Sequence, residues 1–389
     1  MNAHRFIGSI LCLLTFFVVF FRLSFLNSYI YLAFIPAALG ILVGVNFLFK
    51  RGIPLRKNAI SYSWILYILI FLFSLTFDFF QKNIDIQSSF TVRIIMIFVL
   101  SFLPALYLSN KAVTENINIE KIIAIAFWIQ ILLFIVMYIN LNIKIHLYNL
   151  FGMGESVNLW EQNIAARGFG LSGEINFMTP FLMVFYCFFL LPRSISLMIA
   201  ACVTQIVNSN TAVLAIIIAL LCSRIKKRIK IMALLVISVM VYTLGAIMFP
   251  RFYDEFIIGG GTRTIDSLID NHMILLAPLD AFSAFFGFQQ NISSTISDLP
   301  ISSDMGWVII FNYGGGVFIV LFTLYLLLLS LAAFGKTKLA IIWFAVGVIF
   351  NFKGLVFGPN GYMFTSYLFL LLRTFRLNTA TSNSVKIIQ

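Results

Sequence analysis

Long apolar runs separated by short polar segments are the main pattern in this chain of 389 residues. The runs at 10–21, 65–77 and 317–331 contain no charged residue. A helix of about 20 mostly apolar residues crosses a hydrocarbon layer of about 30 Å and satisfies its own backbone hydrogen bonds there. The runs do not alternate with period two, as the strands of a membrane barrel would. The pattern therefore predicts an all-α polytopic membrane protein.

One stretch, 195–223, does not fit a single crossing, because one helix of that length would measure about 43 Å. Its middle is polar and includes Gln205, Asn208 and Thr211, whose side chains can satisfy freed backbone groups. We therefore predict two short helices there. With this pair, the chain has about twelve membrane segments: 6–26, 29–49, 59–80, 90–109, 122–142, 176–192, 195–207, 211–223, 231–249, 304–334, 339–352 and 357–372.

The distribution of charge predicts the orientation of these segments. Most of the 26 Lys and Arg residues lie at the N-terminus, in alternate connections such as 50–58 and 224–230, and in the tail after Leu372. All but two of the 14 acidic residues lie elsewhere. Because basic connections remain cytoplasmic, we expect both termini in the cytoplasm and the two long loops, 143–175 and 250–303, on the outer side.

This orientation divides the chain into five predicted parts. They are N-terminal membrane helices (1–142), a first outer loop (143–175), central membrane helices including the short pair (176–249), a second outer loop (250–303), and C-terminal membrane helices with a cytoplasmic tail (304–389). Since the outer side carries most of the acidic residues, we expect the chemistry of the protein there.

Composition narrows the classes of function. The net charge is +12, yet charged residues make up only 10% and basic residues separate apolar runs instead of forming a patch with aromatic residues, so nucleic acid is not an expected partner. The four cysteines lie in predicted membrane segments and are expected to be buried apolar residues. No Asp-x-Asp, P-loop, HExxH or GxSxG motif occurs, so neither a metal ion nor a cofactor is expected.

The first long loop ends in Arg167-Gly-Phe-Gly170-Leu-Ser-Gly-Glu174. Its glycines would let the backbone approach a bulky ligand, and Arg167 has a planar permanent charge suited to phosphate oxygens. Glu174 precedes a predicted helix, whose dipole favours a carboxylate. Alternatively, Glu174 only caps this helix, and Arg167 pairs with it or with lipid headgroups. The residue types favour neither reading.

The second long loop begins near Arg251 and reaches Arg263 after three glycines. From 263 to 276 apolar residues recur with helical period, which predicts an amphipathic helix at the membrane surface or over the mouth of a cavity. Either Arg263 binds a ligand or the two aspartates of this helix neutralise it. His272 lies in the middle of the apolar face and is expected to have a packing role.

The end of the second loop contains Phe286-Gly287-Phe288 and then Asp304, which precedes a predicted span that contains three consecutive glycines. Asp304 is either an N-terminal cap of this helix or a general base.

In their order along 140–362, these segments resemble the O-antigen polymerase (Wzy-type) and O-antigen ligase superfamily. The matching motifs are Arg-x-x-Gly-x-x-x-Glu from Arg167, a polar break at 208–211, an arginine after glycines at Arg263, Phe-Gly-Phe at 286–288, and Ser303-Asp304 before a glycine-rich span. Two positions depart from the pattern. Family members often have Ser-Arg where this chain has Ser209-Asn210, and ligases typically have His-Asn where it has Ser303-Asp304, which favours a polymerase.

The resemblance implies a GT-C-like glycosyltransferase of the bacterial inner membrane that acts at the periplasmic face without a metal ion. It would transfer a growing glycan from undecaprenyl pyrophosphate onto the next lipid-linked repeat unit. Asp304 and Glu174 would be catalytic, and Arg167, Arg263, Arg251 and Gly170 would bind the substrate. Expected partners are lipid-linked glycans and membrane lipid, with a chain-length regulator protein as a further candidate.

Three alternatives remain open. A flippase or other transporter of lipid-linked oligosaccharide would also have about twelve helices, but such proteins usually show repeat symmetry and ionisable residues near the middle of the membrane. An O-antigen ligase would share the motifs but not Ser303-Asp304. A membrane scaffold or receptor would not explain the concentration of glycine, arginine and acidic residues in the outer loops.

Overall fold

The computed structural model describes residues 3–25, 30–50, 59–80, 89–153, 165, 167–191, 194–223, 263–293 and 302–386, with scattered residues between 226 and 258. Its helices are α1 (Ala3–Phe20), α2 (Phe34–Lys50), α3 (Ala59–Phe80), α4 (Phe90–Ile97), α5 (Leu103–Thr114), α6 (Ile119–Ile139), α7 (Leu141–Leu150), α8 (Met178–Phe189), α9 (Ile195–Asn208), α10 (Thr211–Cys222), α11 (Arg263–His272), α12 (Ala281–Phe286), α13 (Gly306–Phe334), α14 (Lys338–Phe350) and α15 (Gly361–Lys386). A π-helical turn, Phe98–Phe102, joins α4 to α5. Strands β1 (Ser24–Phe25) and β2 (Ile30–Tyr31) form a short antiparallel ribbon.

The predicted all-α membrane class is confirmed at this level. Within the described ranges, four helical stretches are long and apolar enough to cross a membrane: Ile60–Phe79, Phe90–Thr114, Ile119–Ile139 and Gly306–Phe334. Six further helices are apolar but shorter. Three of the four cysteines are buried, as predicted, and all four are free thiols.

Several helices begin where the sequence provides a capping side chain. Ser89 accepts the backbone N–H of Val92 at the start of α4. Asn118 and Asn140 likewise cap α6 and α7, and Thr337 caps α14. A side-chain oxygen at this position satisfies one of the four N–H groups that a helix leaves unpaired at its start.

The first of two compact units consists of Met1–Pro36 and Lys111–Arg263. In it, α1 packs against α6, and α8 packs against α9 and α10. The ring of Phe20 lies 5.6 Å from that of Phe127 and 5.5 Å from that of Tyr186, so buried aromatic rings join α1, α6 and α8. Such close contacts stabilise helix association in a bilayer, where the lipid is as apolar as the side chains.

The second unit consists of Ala37–Asn110 and Thr264–Gln389. Its central helix is α13, which packs against α3, α12, α14 and α15. The buried hydroxyls of Tyr325 and Tyr367 share a hydrogen bond of 2.6 Å. The ring of Tyr362 stacks on that of Trp343, with centroids 4.5 Å apart. These contacts fix α13, α14 and α15 against one another.

The first helix ends earlier than predicted. The spans expected at 6–26 and 29–49 are separated by the ribbon, and α2 begins only at Phe34. Arg22 has φ 51°, its N–H donates to the carbonyl of Val19, and the N–H of Leu23 donates to that of Val18. These two hydrogen bonds, with a left-handed residue between them, form a Schellman turn, which terminates a helix. It ends α1 beside Arg22, which is the one charged residue within the predicted span 6–26.

Two other predicted boundaries differ or are untested. The last predicted span stops at 372, whereas α15 continues to Lys386. Most of the predicted span 231–249 lies outside the described residues.

Candidate functional site

The predicted glycine segment, 167–174, is an irregular loop buried against helices of the first unit. Gly168 has φ 79° and Gly170 has φ 101°, values that favour glycine. A Cβ atom on Gly170 would lie 2.6 Å from Nε2 of Gln130. The close approach that this glycine permits is therefore to a helix of the protein. Its predicted contact with a substrate stays a prediction.

The predicted polar break at 208–211 is confirmed, because α9 ends at Asn208 and α10 begins at Thr211. Oδ1 of the fully buried Asn208 accepts the N–H of Phe169 at 2.8 Å, and Nδ2 donates to the carbonyl of Phe169, also at 2.8 Å. The hydroxyls of Ser209 and Thr211 donate to the last two backbone carbonyls before α8. The polar side chains of the break thus satisfy the backbone of another segment.

Two further helices supply hydrogen bonds to the loop. Oε1 of Gln130 on α6 accepts the N–H of Leu171 at 3.1 Å. The hydroxyl of Tyr148 on α7 lies within hydrogen-bond distance of the carbonyls of Gly168 and Gly170. Buried irregular backbone needs partners for its polar groups, and these side chains supply them for this loop.

Lys144 is a site residue that the sequence analysis missed. Its side chain is fully buried, Nζ donates to the carbonyl of Arg167 at 2.6 Å, and the ammonium lies 4.3 Å from the centre of the Phe169 ring. Burial and the charge of Arg167 lower the pKa of Lys144 to about 8. Two cationic residues therefore lie close together at this loop, and Arg167 itself is half-buried. The one feature of the sequence that could have indicated these contacts is that Lys144 and Tyr148 are four residues apart, on one face of a helix.

The carboxylate of Glu174 pairs with Arg22, a partner that the sequence analysis did not predict. Its Oε1 lies 3.1 Å from NH1 of Arg22, which also approaches the hydroxyl of Tyr31. The helix that follows begins at Met178, and the residue at its N-cap position is Phe177, whose side chain makes no capping bond. It is the backbone carbonyl of Glu174, not its carboxylate, that accepts the N–H of Thr179 in the first turn of this helix, at 3.2 Å. The Schellman turn that ends α1 is what brings Arg22 to this position.

In the second unit, Asp304 is not the cap of α13. The helix begins at Gly306 with Met305 at the N-cap position, and no side chain caps it. The backbone N–H of Asp304 donates to Nδ1 of His272 at 3.2 Å, and Oδ2 lies 3.7 Å from Nε2 of the same ring. The carboxylate side chain is half-exposed. His272, which was expected only to pack, thus contacts Asp304, for which the sequence left the roles of cap and general base open.

The predicted Phe-Gly-Phe and three-glycine motifs meet in this unit. Gly315 has φ 61° and interrupts α13, and Gly287 has φ 69°. A Cβ on either glycine would lie within 2.7 Å of the other segment's backbone. The N–H of Phe288 donates to the carbonyl of Asn312 at 2.7 Å, so the Phe-Gly-Phe segment replaces hydrogen bonds that the kink removes. Only glycine permits this contact of two backbones.

Arg93 also approaches the segment beside Asp304. Its NH2 lies 3.5 Å from Oγ of Ser293, and Ser293 forms a parallel bridge with Ser303. The second unit therefore brings an arginine, a histidine and a carboxylate into one neighbourhood, drawn from three separate parts of the sequence.

Two predicted substrate-binding residues remain untested. Arg251 lies outside the described residues. Arg263 begins α11, but its side chain lies outside the described part, so the structure gives no test of an approach to Arg167. Among the residues that the structure describes, no group of three or more His, Cys, Asp or Glu side chains is arranged to bind a metal ion.

Comparison with known proteins gives no family assignment. No protein-family model, no curated protein and no solved structure matches this chain.

Proposed function

We propose that this membrane protein is a glycosyltransferase that polymerises undecaprenyl-pyrophosphate-linked repeat units, as an O-antigen polymerase does. The observation that carries the proposal is the pair of cationic residues, Lys144 and Arg167, at a glycine loop that three helices stabilise. Two like charges held close together in a partly desolvated site favour a ligand with two negative charges, and a pyrophosphate diester has two.

The roles of the two cations differ because their exposure differs. Arg167 is half-buried and is the residue that would contact the phosphate oxygens. Lys144 is fully buried and would act through its field and through its bond to the carbonyl of Arg167. In a site of low dielectric constant, such fixed charges stabilise the charge that develops on a leaving group.

The transfer itself needs a group that accepts a proton. The acceptor hydroxyl oxygen would bond to the anomeric carbon of the donor glycan, and the electron pair of the broken carbon–oxygen bond would leave with the pyrophosphate carrier. The hydroxyl proton would pass to a carboxylate and then to water, and Asp304 is the carboxylate that the family resemblance implies for this step. Glu174, which pairs with Arg22, would stabilise the loop that contains Arg167.

We also propose the finer arrangement that the sequence predicts. The chain would cross the bacterial inner membrane about twelve times in a GT-C-like arrangement, with both termini in the cytoplasm and the 143–175 and 250–303 loops in the periplasm. Cysteines introduced at Lys227 and Gly260 would test this orientation in intact cells. An impermeant thiol reagent should label position 260 and not 227, and the opposite result would overturn the proposal.

The direct experiment mixes the purified protein with lipid-linked repeat units and separates the glycans by length. The wild-type protein should produce a ladder. Arg167→Ala and Arg263→Ala should each reduce polymerisation by about one to two orders of magnitude, the value of one charge-assisted contact. Arg167→Lys should recover only part of the activity, because the ammonium lacks the planar fork.

Arg228→Ala is the matched control, since Arg228 is exposed within the predicted cytoplasmic cluster. Full ladders from both alanine variants at Arg167 and Arg263 would refute the pyrophosphate site.

A second experiment tests the base. Asp304→Asn should reduce the rate by about a hundredfold or more if Asp304 accepts the proton. Asp270→Asn, at an exposed acid on α11, should leave the rate unchanged. A near wild-type rate for Asp304→Asn at normal protein level would mean that the base lies elsewhere.

A transporter of lipid-linked oligosaccharide is the second candidate. Helix interruptions at 208–211 and at Gly315, each next to a buried non-helical segment, favour it, because transporters often build their sites from discontinuous helices. Deletion in the host separates the two functions. Loss of a polymerase should leave a single repeat unit on the surface lipid, whereas loss of the transporter should leave none.

A further inference from the structure

The short helix α12 presents its large side chains outward. Phe282, Phe285 and Phe286 are three and four residues apart, so they share one face of the helix. Phe282 is 60% exposed and Phe285 is 62% exposed, and the ring centroids of Phe282 and Phe286 lie 5.1 Å apart. A contiguous aromatic face of this kind is unfavourable in water, because each ring keeps a large apolar area hydrated. The face of α12 therefore needs an apolar partner.

The segment before α12 enlarges this apolar surface. Three more large apolar side chains are exposed there: Met273, Leu275 and Leu279. The one charged residue in the segment 273–286 is Asp280, whose carboxylate accepts the N–H of Ser283 at 2.7 Å in a capping box. The charge of Asp280 is thus used to begin α12, and the rest of the segment offers apolar side chains.

Backbone contacts fix the level of this segment along α13. The carbonyl of Ile274 accepts Nδ2 of Asn312 at 2.9 Å. A Cβ atom on Gly315 would lie 2.5 Å from the carbonyl oxygen of Phe285, so the two backbones touch. The segment 273–286 therefore runs beside residues 312–316 of α13.

These residues of α13 lie at the boundary of the hydrocarbon layer. α13 is long and apolar enough to cross a membrane, and 315–334 alone measures about 30 Å, the thickness of that layer. Lys336 follows the far end of α13 and marks one boundary, because a charged side chain is costly within hydrocarbon. The opposite boundary therefore falls near Gly315, and any tilt of α13 places this glycine deeper.

An exposed apolar stripe of α13 continues from the contact with α12. Val320 follows Gly316 by four residues and Leu324 follows by eight, so the three lie on one face of the helix. Val320 is 57% exposed and Leu324 is 44% exposed, as expected for side chains that face lipid. The stripe leads from α12 into the span, and the medium that covers Val320 also reaches Phe285.

We propose that the segment 273–286 is an interfacial membrane anchor. It lies at the boundary of the bilayer beside α13, and the acyl chains of lipids cover its exposed side chains, Phe282 and Phe285 above all. None of the predicted membrane segments includes it. The anchor does not depend on the reaction that the protein catalyses, nor on which side of the membrane the segment faces.

Spin labels measure which medium surrounds the anchor. A nitroxide is attached to Phe282→Cys or Phe285→Cys of the full chain, in a background in which the four free cysteines are alanine, and the protein is reconstituted in phosphatidylcholine vesicles. Oxygen concentrates in hydrocarbon, whereas a polar Ni(II) chelate stays in water. The ratio of the two collision rates therefore reports the surroundings of each label.

Two further positions calibrate this ratio. Leu324→Cys is the lipid reference on α13, and Lys336→Cys is the water reference, since Lys336 is exposed in the turn after α13. The oxygen-to-nickel ratio at Phe282 and Phe285 should be close to that at Leu324 and several-fold higher than that at Lys336. A ratio closer to that at Lys336 would overturn the anchor. Low collision rates with both reagents would also overturn it, because they would show that protein covers the surface.

A second measurement keeps the native cysteines. p-Benzoyl-phenylalanine in place of Phe282 is irradiated in the same vesicles, and its peptides are analysed by mass spectrometry. The anchor predicts an adduct with phosphatidylcholine at this position and at Leu324, and none at Lys336. Crosslinks from position 282 to peptides alone, either of the same chain or of a second copy, would refute the proposal.

Discussion

Removal of the Asn208 side chain should open the loop that contains Arg167. Asn208 is fully buried, and it accepts the N–H of Phe169 and donates to the carbonyl of Phe169, both at 2.8 Å. Asn208→Ala leaves both backbone groups without these partners, and each such loss costs about 1–3 kcal/mol when no water replaces it. The two losses together would cost about 2–6 kcal/mol, and with partial access of water we expect the loop to lose about 3 kcal/mol of local stability.

Trypsin cleavage after Arg167 measures this opening directly. Cleavage requires local unfolding, and its rate follows the population of the open form when closing is fast. A loss of about 3 kcal/mol therefore predicts a rise of about a hundredfold in the cleavage rate at Arg167, since 1.4 kcal/mol is a factor of ten. The new fragments are identified by mass spectrometry of the protein in detergent.

Asn149→Ala is the control for this comparison. Asn149 is exposed on α7, and a substitution at such a surface position changes stability by about 0.5 kcal/mol or less. If Asn208→Ala and Asn149→Ala are cleaved at the same rate, the paired bonds to Phe169 do not stabilise the loop, and our account of the polar break is wrong.

Three other predictions concern the same unit. Gly170→Ala should lower the melting temperature, because a positive φ costs a non-glycine residue about 1–3 kcal/mol and the new Cβ would lie 2.6 Å from Gln130. Gly358→Ala is the control, since its Cβ would meet no atom closer than 3.7 Å, and it should leave the melting temperature unchanged. Equal effects of the two substitutions would contradict the packing role of Gly170. The wild type should gain stability relative to Lys144→Met as the pH rises from about 8 to about 10.5, because in this window the unfolded chain keeps a proton on Lys144 that the folded chain has released. If the difference in melting temperature between the two proteins is constant with pH, the pKa of Lys144 is not lowered. A double-mutant cycle of Arg22→Ala and Glu174→Ala should show a coupling of about 1 kcal/mol in the free energy of unfolding, and a coupling near zero would mean that the ion pair adds nothing.

Glu174 and Asp304 show why candidate residues were easier to find in the sequence than their roles. Both were recognisable as carboxylates beside a predicted helix start, but neither lies at the N-cap position. Glu174 pairs with Arg22, which is 152 residues away. The sequence analysis offered Arg167 as one possible partner of Glu174 and did not consider Arg22, because contacts between distant helices leave no local pattern in the sequence.

The sequence by itself determined the class of the protein, the approximate positions of most helices, and the break at 208–211. Each of these depends on residues that are close in the chain: apolar runs satisfy the length that a bilayer demands, and a polar cluster in such a run interrupts it. Only the tertiary structure decided that Lys144 is buried against Arg167, that Gly170 packs on Gln130, and that His272 contacts Asp304. These contacts join separate helices, and many side-chain pairings satisfy the same apolar pattern, so hydropathy alone does not select among them.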